Sequence, residues 1–226
     1  MKSNVTRNWF NFLERLPFLF FGLFLFAVGL VANLRSNLGM SPWGVLHVGL
    51  SNTTSLTIGQ ATQIVGFLVI VIGWLLGFAP GLATFANMYF VGFFVDMLIW
   101  LNVIPVQNEL IGQIGLLASS IIAMGMGSLF YLKAQLGAGP RDSLMVGLVK
   151  KLNKPVFYVR SSIEVTVLIL GYFLGGPVGI GTIVTALTIG YSVQSFFKLG
   201  RFDSKSEQMN LWQLYKFLKS GKTRRE

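Results

Sequence analysis

The chain has no cysteine and one histidine, His47, among 226 residues. This excludes disulfides, thiolate metal sites and cysteine nucleophiles, and leaves no histidine cluster for a zinc ion. Charge is scarce as well. Asp, Glu, Lys and Arg make up 12% of the residues, about half the share of a soluble domain. Acidic residues are the scarcer sign, 8 against 18 Lys and Arg, for a formal net charge of +10. Catalytic signatures are missing too: there is no HExxH, no paired-acid metal motif, no phosphate-cradling glycine loop and no nucleophile with an evident base. Gly39-Met40-Ser41 beside His47 makes a poor hydrolase signature. The reading is a chain that is not an enzyme and needs no cofactor or metal.

What is present is apolar. Hydrophobic residues reach 53% and the mean hydropathy is +0.66, values of an integral membrane protein. The basic residues sit in the end segments and one loop, which suits anionic lipid headgroups better than a nucleic-acid groove. Crossing the hydrocarbon takes about 20 helical residues. Six runs suffice, at roughly 17–35, 59–78, 82–101, 112–132, 156–175 and 179–198. The first lies behind Lys2, Arg7 and Arg15, with no small-residue cleavage site after it, so it reads as an uncleaved span.

The chain also says one thing twice. Residues 38–50 read LGMSPWGVLHVGL, and 136–148 read LGAGPRDSLMVGL. At that offset of 98, Gly29 falls on Gly127, Pro42 on Pro140, Gly49 on Gly147, Gly73 on Gly171 and Thr84 on Thr182. The period is far too long for a solenoid; two copies of a Gly/Pro-interrupted apolar unit fit a two-repeat membrane protein. Each copy supplies three spans. Between its first and second lies a shorter apolar segment, 42–52 or 140–152, about half the length needed to cross.

If the short segments do not cross, each copy crosses three times and the second is inverted. Charge decides for inversion. Residues 35–57 hold only Arg35, whereas 133–155 hold Lys133, Arg141, Lys150, Lys151 and Lys154. Parallel copies would put both loops on one side, with no reason to differ. With the N-terminus inside, 16 of the 18 basic residues fall on the cytoplasmic side, all but Arg35 and Arg160. The expected fold is therefore all-α and polytopic: two inverted repeats of three transmembrane helices, each with a broken or re-entrant half-helix. The expected division is an interfacial segment 1–16, repeat one over 17–101, a connection 102–112, repeat two over 113–198 and a basic amphipathic tail 199–226. Trp9, Phe10, Phe12 and Leu13, and the run Leu211, Trp212, Leu214, Tyr215, Phe217 and Leu218 beside Lys216 and Lys219, suit helices in the headgroup plane.

Each short segment opens with a helix-start signal: Ser41 then Pro42, and Gly139 then Pro140. First-turn amides and the positive dipole end attract an anion or a carbonyl, so Ser41, Pro42, Gly139, Pro140, Arg141, Asp142 and Ser143 are candidate ligand-binding residues. Alternatively each half-helix plugs the bundle, with Asp142 or Ser143 capping its own amides. Thr57 and Gln60 read as a capping box starting the second span. Ionisable residues inside spans are costly and default to functional candidates. Glu164 and Arg160, four apart, share a helical face and form either a structural ion pair or a proton or cation site tuned by the arginine. His47 joins the candidates as a lone histidine, a type that more often packs and hydrogen-bonds. Asp96 is a weaker candidate. Asn33, Asn87, Thr84 and Thr182 read as interhelical hydrogen-bonding residues.

On these same segments, Leu38–Leu50, Leu56–Gly59, Gly137–Met145, Val159-Arg160 with Glu164, and Gly175–Thr182, the chain resembles the YczE/YyaS/YitT group of bacterial membrane proteins, most closely its YczE-like branch. One departure is Gly44, where the resemblance leads one to expect an acid matching Asp142. The resemblance implies a multi-pass protein of the bacterial inner membrane and brings no substrate or reaction. The residues favour a small secondary transporter; the alternative is a membrane accessory, regulatory or assembly factor acting through its basic face. The partners expected are a bilayer with anionic headgroups at the cytoplasmic face, an unnamed small ligand and, as an open option, further copies of the chain.

Overall fold

The computed structural model describes residues 2–203 and 206–220. Among these residues there are ten helices and no strand: α1 (Lys2–Leu13), α2 (Arg15–Arg35), α3 (Pro42–Thr53), α4 (Ile58–Leu75), α5 (Leu82–Trp100), α6 (Leu110–Lys133), α7 (Pro140–Leu152), α8 (Val156–Phe173), α9 (Ile180–Leu199) and α10 (Leu211–Ser220). Of the basic residues counted toward one face above, Lys205, Lys222, Arg224 and Arg225 lie outside the described residues.

Among the described residues, stretches long and apolar enough to cross a membrane are Val5–Arg35, Ile58–Leu75, Leu82–Trp100, Leu110–Lys133 and Ile180–Leu199. The sixth expected run forms α8, which has the same 18-residue length as its equivalent α4 and carries Arg160 and Glu164. One expectation changes. The first span does not begin afresh at 17. Helix runs back through α1, broken only around Glu14, and Pro17 explains the break: it has no N–H for the Leu13 carbonyl four residues earlier.

The offset of 98 governs the packing. Helices α2 and α6, equivalent in sequence, form the most extensive interface. They run antiparallel: a Cβ on Gly22 would strike the backbone of Gly127 and Tyr131, while one on Gly29 would strike Met124 and Ser120. Around them, α2 packs on α5 as α6 does on α9, and α3 packs on α8 as α4 does on α7. Rings of Phe20 and Phe90 (4.8 Å) and of Phe24 and Phe94 (5.5 Å) lock α2 to α5. Large apolar side chains such as Trp74, Trp100, Ile111 and Phe173 stand exposed on the outside, the surface a bilayer covers.

Each repeat turns from its first long helix into its half-helix the same way. Asn37 and Gly39 hold positive φ (56° and 99°), and 98 residues on Gln135 and Gly137 do so again (56° and 126°). Each turn is clasped by the other half. Gly181 N donates to Leu38 O (2.7 Å), and Ala83 N donates to Leu136 O (2.9 Å). Thr182 Oγ1 and Thr84 Oγ1 accept from the amides of Gly179 (3.1 Å) and Gly81 (3.0 Å), starting α9 and α5. After each repeat's last helix the chain passes over the end of its first: Gln107 N donates to Arg35 O (3.0 Å), and Met209 N donates to Gln135 O (3.4 Å). The first crossing leads into α6 and the next repeat, and the second leads into α10, which lies against α1.

Candidate functional site

The half-helices begin as their sequences predict. Ser41 is the N-cap of α3, accepting at Oγ from Gly44 N (3.4 Å), with Pro42 in the first turn. Gly139 is the N-cap of α7, with Pro140 following and no side-chain cap. Neither segment crosses the bundle. The loop before α3 meets Pro177 and Gly181, and the end of α3 returns to Gly175, where Asn52 Nδ2 donates to the carbonyl (2.9 Å). Gly137 lies on Gly81 and Gly147 on Phe78, so α7 likewise stays at its own face. Thr57 and Gln60 form the expected capping box of α4 (3.0 and 3.1 Å).

The two first turns meet inside the bundle. Trp43 and Leu144 share an apolar cluster with Val65, Val69 and Val167, flanked by Leu46, Leu50, Leu148 and Ile163. Most of these are pairs under the 98-residue offset: Leu46 with Leu144, Leu50 with Leu148, Val65 with Ile163, Val69 with Val167. The cluster therefore straddles the pseudo-twofold axis. Arg141, the counterpart of Trp43, places its Cζ 4.6 Å from the centroid of the Trp43 ring, a cation–π contact. Two equivalent positions have met on the axis, one as a cation and one as an aromatic face.

Arg141 Nη2 also reaches His47 Nε2 (3.3 Å). Guanidinium has only donors, so Nε2 carries the lone pair, and Nδ1–H then donates to Thr62 Oγ1 (3.0 Å). The Thr62 hydroxyl donates onward to Ile58 O (2.9 Å). The network assigns a neutral imidazole in one tautomer, in a relay from α7 through α3 to α4. The carboxylates of Asp142 and Glu164 lie near enough to act on the Arg141 charge. Asp142, however, accepts from the Tyr131 hydroxyl of α6, and Ser143 Oγ donates to Ala138 O (3.3 Å). Neither therefore caps the free amides of α7.

Each half-helix start is tethered to its own first long helix. Asn33 Oδ1 accepts from Ser41 N (2.9 Å), and Asn33 Nδ2 donates to Thr185 Oγ1 (3.4 Å). Their counterparts 98 residues away are Tyr131 and Asn87, which both border Gly139. A buried polar cluster is thus built twice with different side chains. Beside His47 lies a cavity of about 10 Å³, lined by Leu30, Met40, Gly44, Ile58 and Thr62 among others, room for about one water. The half-helix starts are packed in this conformation.

Arg160 and Glu164 do pair, at 3.1 Å on one helical face, but with side chains 45% and 21% exposed. Glu164 lies near enough to act on Arg141, so the pair borders the Arg141–His47–Thr62 relay without a hydrogen bond into it. Asp96 caps α4 from α5, accepting from Gly59 N (2.8 Å) and the Thr57 hydroxyl. Sequence reasoning passed over Trp43, Tyr131 and Thr185 at the site. The signal was present in the repeat offset, which matches Trp43 to Arg141, Asn33 to Tyr131 and Asn87 to Thr185.

Fold and site together define a multi-pass helical membrane protein of two inverted repeats, with a half-helix from each meeting near the centre. The chain belongs to a family of unknown function, DUF6198, whose model matches residues 13–198. It is similar to the uncharacterized membrane protein YczE of Bacillus subtilis, at 35% identity over 84% of this chain and 85% of that one. An uncharacterized protein of Haemophilus influenzae is 32% identical over 86% and 88%, and the uncharacterized protein YyaS of Bacillus subtilis is 25% identical over 79% and 90%. No solved structure matches the chain significantly.

Proposed function

We propose that this protein is a small secondary transporter of a bacterial inner membrane, with both termini in the cytoplasm, rather than an enzyme. One observation carries the reading: two oppositely directed half-helices present their N-terminal turns to each other inside the bundle, with the Arg141 guanidinium between them on the Trp43 ring. Inverted-repeat transporters use such ends to hold an anionic or carbonyl group and rock one repeat against the other. The candidate ligand contacts are Ser41, Pro42 and His47 on one side and Gly139, Pro140, Arg141, Asp142 and Ser143 on the other. Arg160 and Glu164 are assigned to the rim as a surface pair. The single-water cavity corresponds to an occluded conformation. The cytoplasmic assignment of the termini face follows from its Lys and Arg excess.

The absence of cysteine makes the test direct. Ser41→Cys and Ser143→Cys are expected to react with membrane-impermeant thiol reagents from opposite sides of the membrane, each protected when the other is open. Labelling of both from one side overturns the inverted arrangement. No labelling of either under any condition overturns transport and favours an accessory factor with a permanently packed centre.

A further inference from the structure

We propose that α1 and α10 together form a binding surface for anionic phospholipid headgroups, independent of what the central site carries. Each helix has one face in the core and one face out. On α10, Leu214 is buried and Phe217 and Leu218 pack against the core, while Leu211, Trp212 and Tyr215 remain 43%, 62% and 52% exposed. On α1, Asn8 is buried and Phe12 packs inward, yet Trp9, Phe10 and Leu13 are about half exposed. The helices are fastened to each other by Asn8 Nδ2, which donates to Phe217 O (2.8 Å).

Position and charge select the occupant. Helix α1 runs into the first membrane-crossing stretch, so its outer rings stand within a few turns of the hydrocarbon edge. Exposed Trp and Tyr beside lysines fit the headgroup layer, where a ring rests on acyl chain and its polar edge meets water. Lys216 Nζ lies 5.2 Å from the Trp212 ring centroid, and Lys219 Nζ lies 5.5 Å from that of Tyr215 while donating to its hydroxyl (3.2 Å). These contacts steer the ammonium groups without neutralising them. Arg7 adds an exposed cation on α1, against the acids Glu14, Asp203 and Glu207 on this side. A phosphodiester supplies the negative charge that the rings of Trp212 and Tyr215 do not.

The test uses the full-length protein in neutral-detergent micelles containing equal phosphatidylglycerol and phosphatidylcholine, with retained lipids counted by native mass spectrometry. Wild type is expected to retain phosphatidylglycerol preferentially. Raising NaCl from 0.1 to 1 M, which shortens the Debye length from about 10 to about 3 Å, is expected to abolish the preference. The combined Arg7→Gln, Lys216→Gln, Lys219→Gln variant should lower the ratio by at least about fivefold, roughly the contribution of one cation at an anionic surface. Arg35→Gln, at the opposite end of α2 from α1, should leave the ratio unchanged. No preference in wild type, or an equal loss in the Arg35→Gln control, overturns the proposal. If the triple variant does not fold, the single substitutions Arg7→Gln and Lys219→Gln decide the matter: each is expected to lower the ratio, and no loss in either overturns the proposal.

Discussion

Helix α3 starts on Ser41 and Pro42, helix α7 on Gly139 and Pro140, and from there the two copies part company. Where α3 continues with Trp43 and Gly44, α7 continues with Arg141 and Asp142. The backbone conformation is kept: the same left-handed turn precedes each, and the same amide-to-carbonyl clasp from the opposite half holds it. The side chains are not kept. Duplication therefore preserved what the fold requires and released what it does not, and the released positions lie on the axis where the copies face each other. A symmetric pair of arginines there would place two cations in contact, and a symmetric pair of tryptophans would leave no charge. The mixed pair holds one intramembrane cation against an aromatic face.

The equivalence of the turns is tested hardest by Gly39→Ala and Gly137→Ala. Both positions lie at positive φ, and an added Cβ meets the backbone of Gly179 or Gly81. Left-handed backbone costs about 1–2 kcal/mol for an L-residue and overpacking about 1–3 more. Each variant is expected to lose about 2–5 kcal/mol, read as thermal unfolding in detergent, and clearly unequal losses would break the equivalence. The difference between the copies is probed by Arg141→Ala, which removes a cation–π contact of about 1 kcal/mol and a charged hydrogen bond of about 1.5–3 kcal/mol. The exchange of Trp43→Arg with Arg141→Trp should recover at least half of that loss, because position 43 lies four residues from His47 on one helix. Failure to recover would mean that the side of the cation matters to the fold itself. The smallest effects belong to the threonine clasps. Thr84→Val strips a cap from Gly81 N and a donor from Ala138 O (2.7 Å), at about 1–3 kcal/mol. Thr182→Val is expected to cost about 1 kcal/mol, for the one bond to Gly179 N.

Local signals were read well because their causes are local. Ser41-Pro42, Gly139-Pro140 and Thr57 with Gln60 place caps that need only neighbouring residues, and those helices begin where expected. The inverted arrangement was legible because one copy of a duplicated loop is nearly free of Lys and Arg. Which side chains meet at the centre was not legible. The offset pairs Trp43 with Arg141 as equivalents, but equivalent residues touch only if they lie on the axis, and the axis is set by how α2 packs on α6. In the same way, spacing foretold that Arg160 and Glu164 would share a face, while which face points outward depends on α3 covering the other side of α8. The helix ahead of Pro17 was expected, but not its continuity with the first span, since a proline near a helix start interrupts one bond without ending the rod.

The clasps at Leu38 and Leu136 also set when the molecule is finished. As the chain emerges, the carbonyl of Leu38 has to wait until Gly181 has been made, and the amide of Ala83 has to wait for Leu136. The first repeat cannot be completed by itself, and neither can the second. A sequence that looks like two modules is thus a single cooperative unit, its contacts long-range and late. Each copy synthesised as a separate polypeptide should stay unfinished until the other arrives.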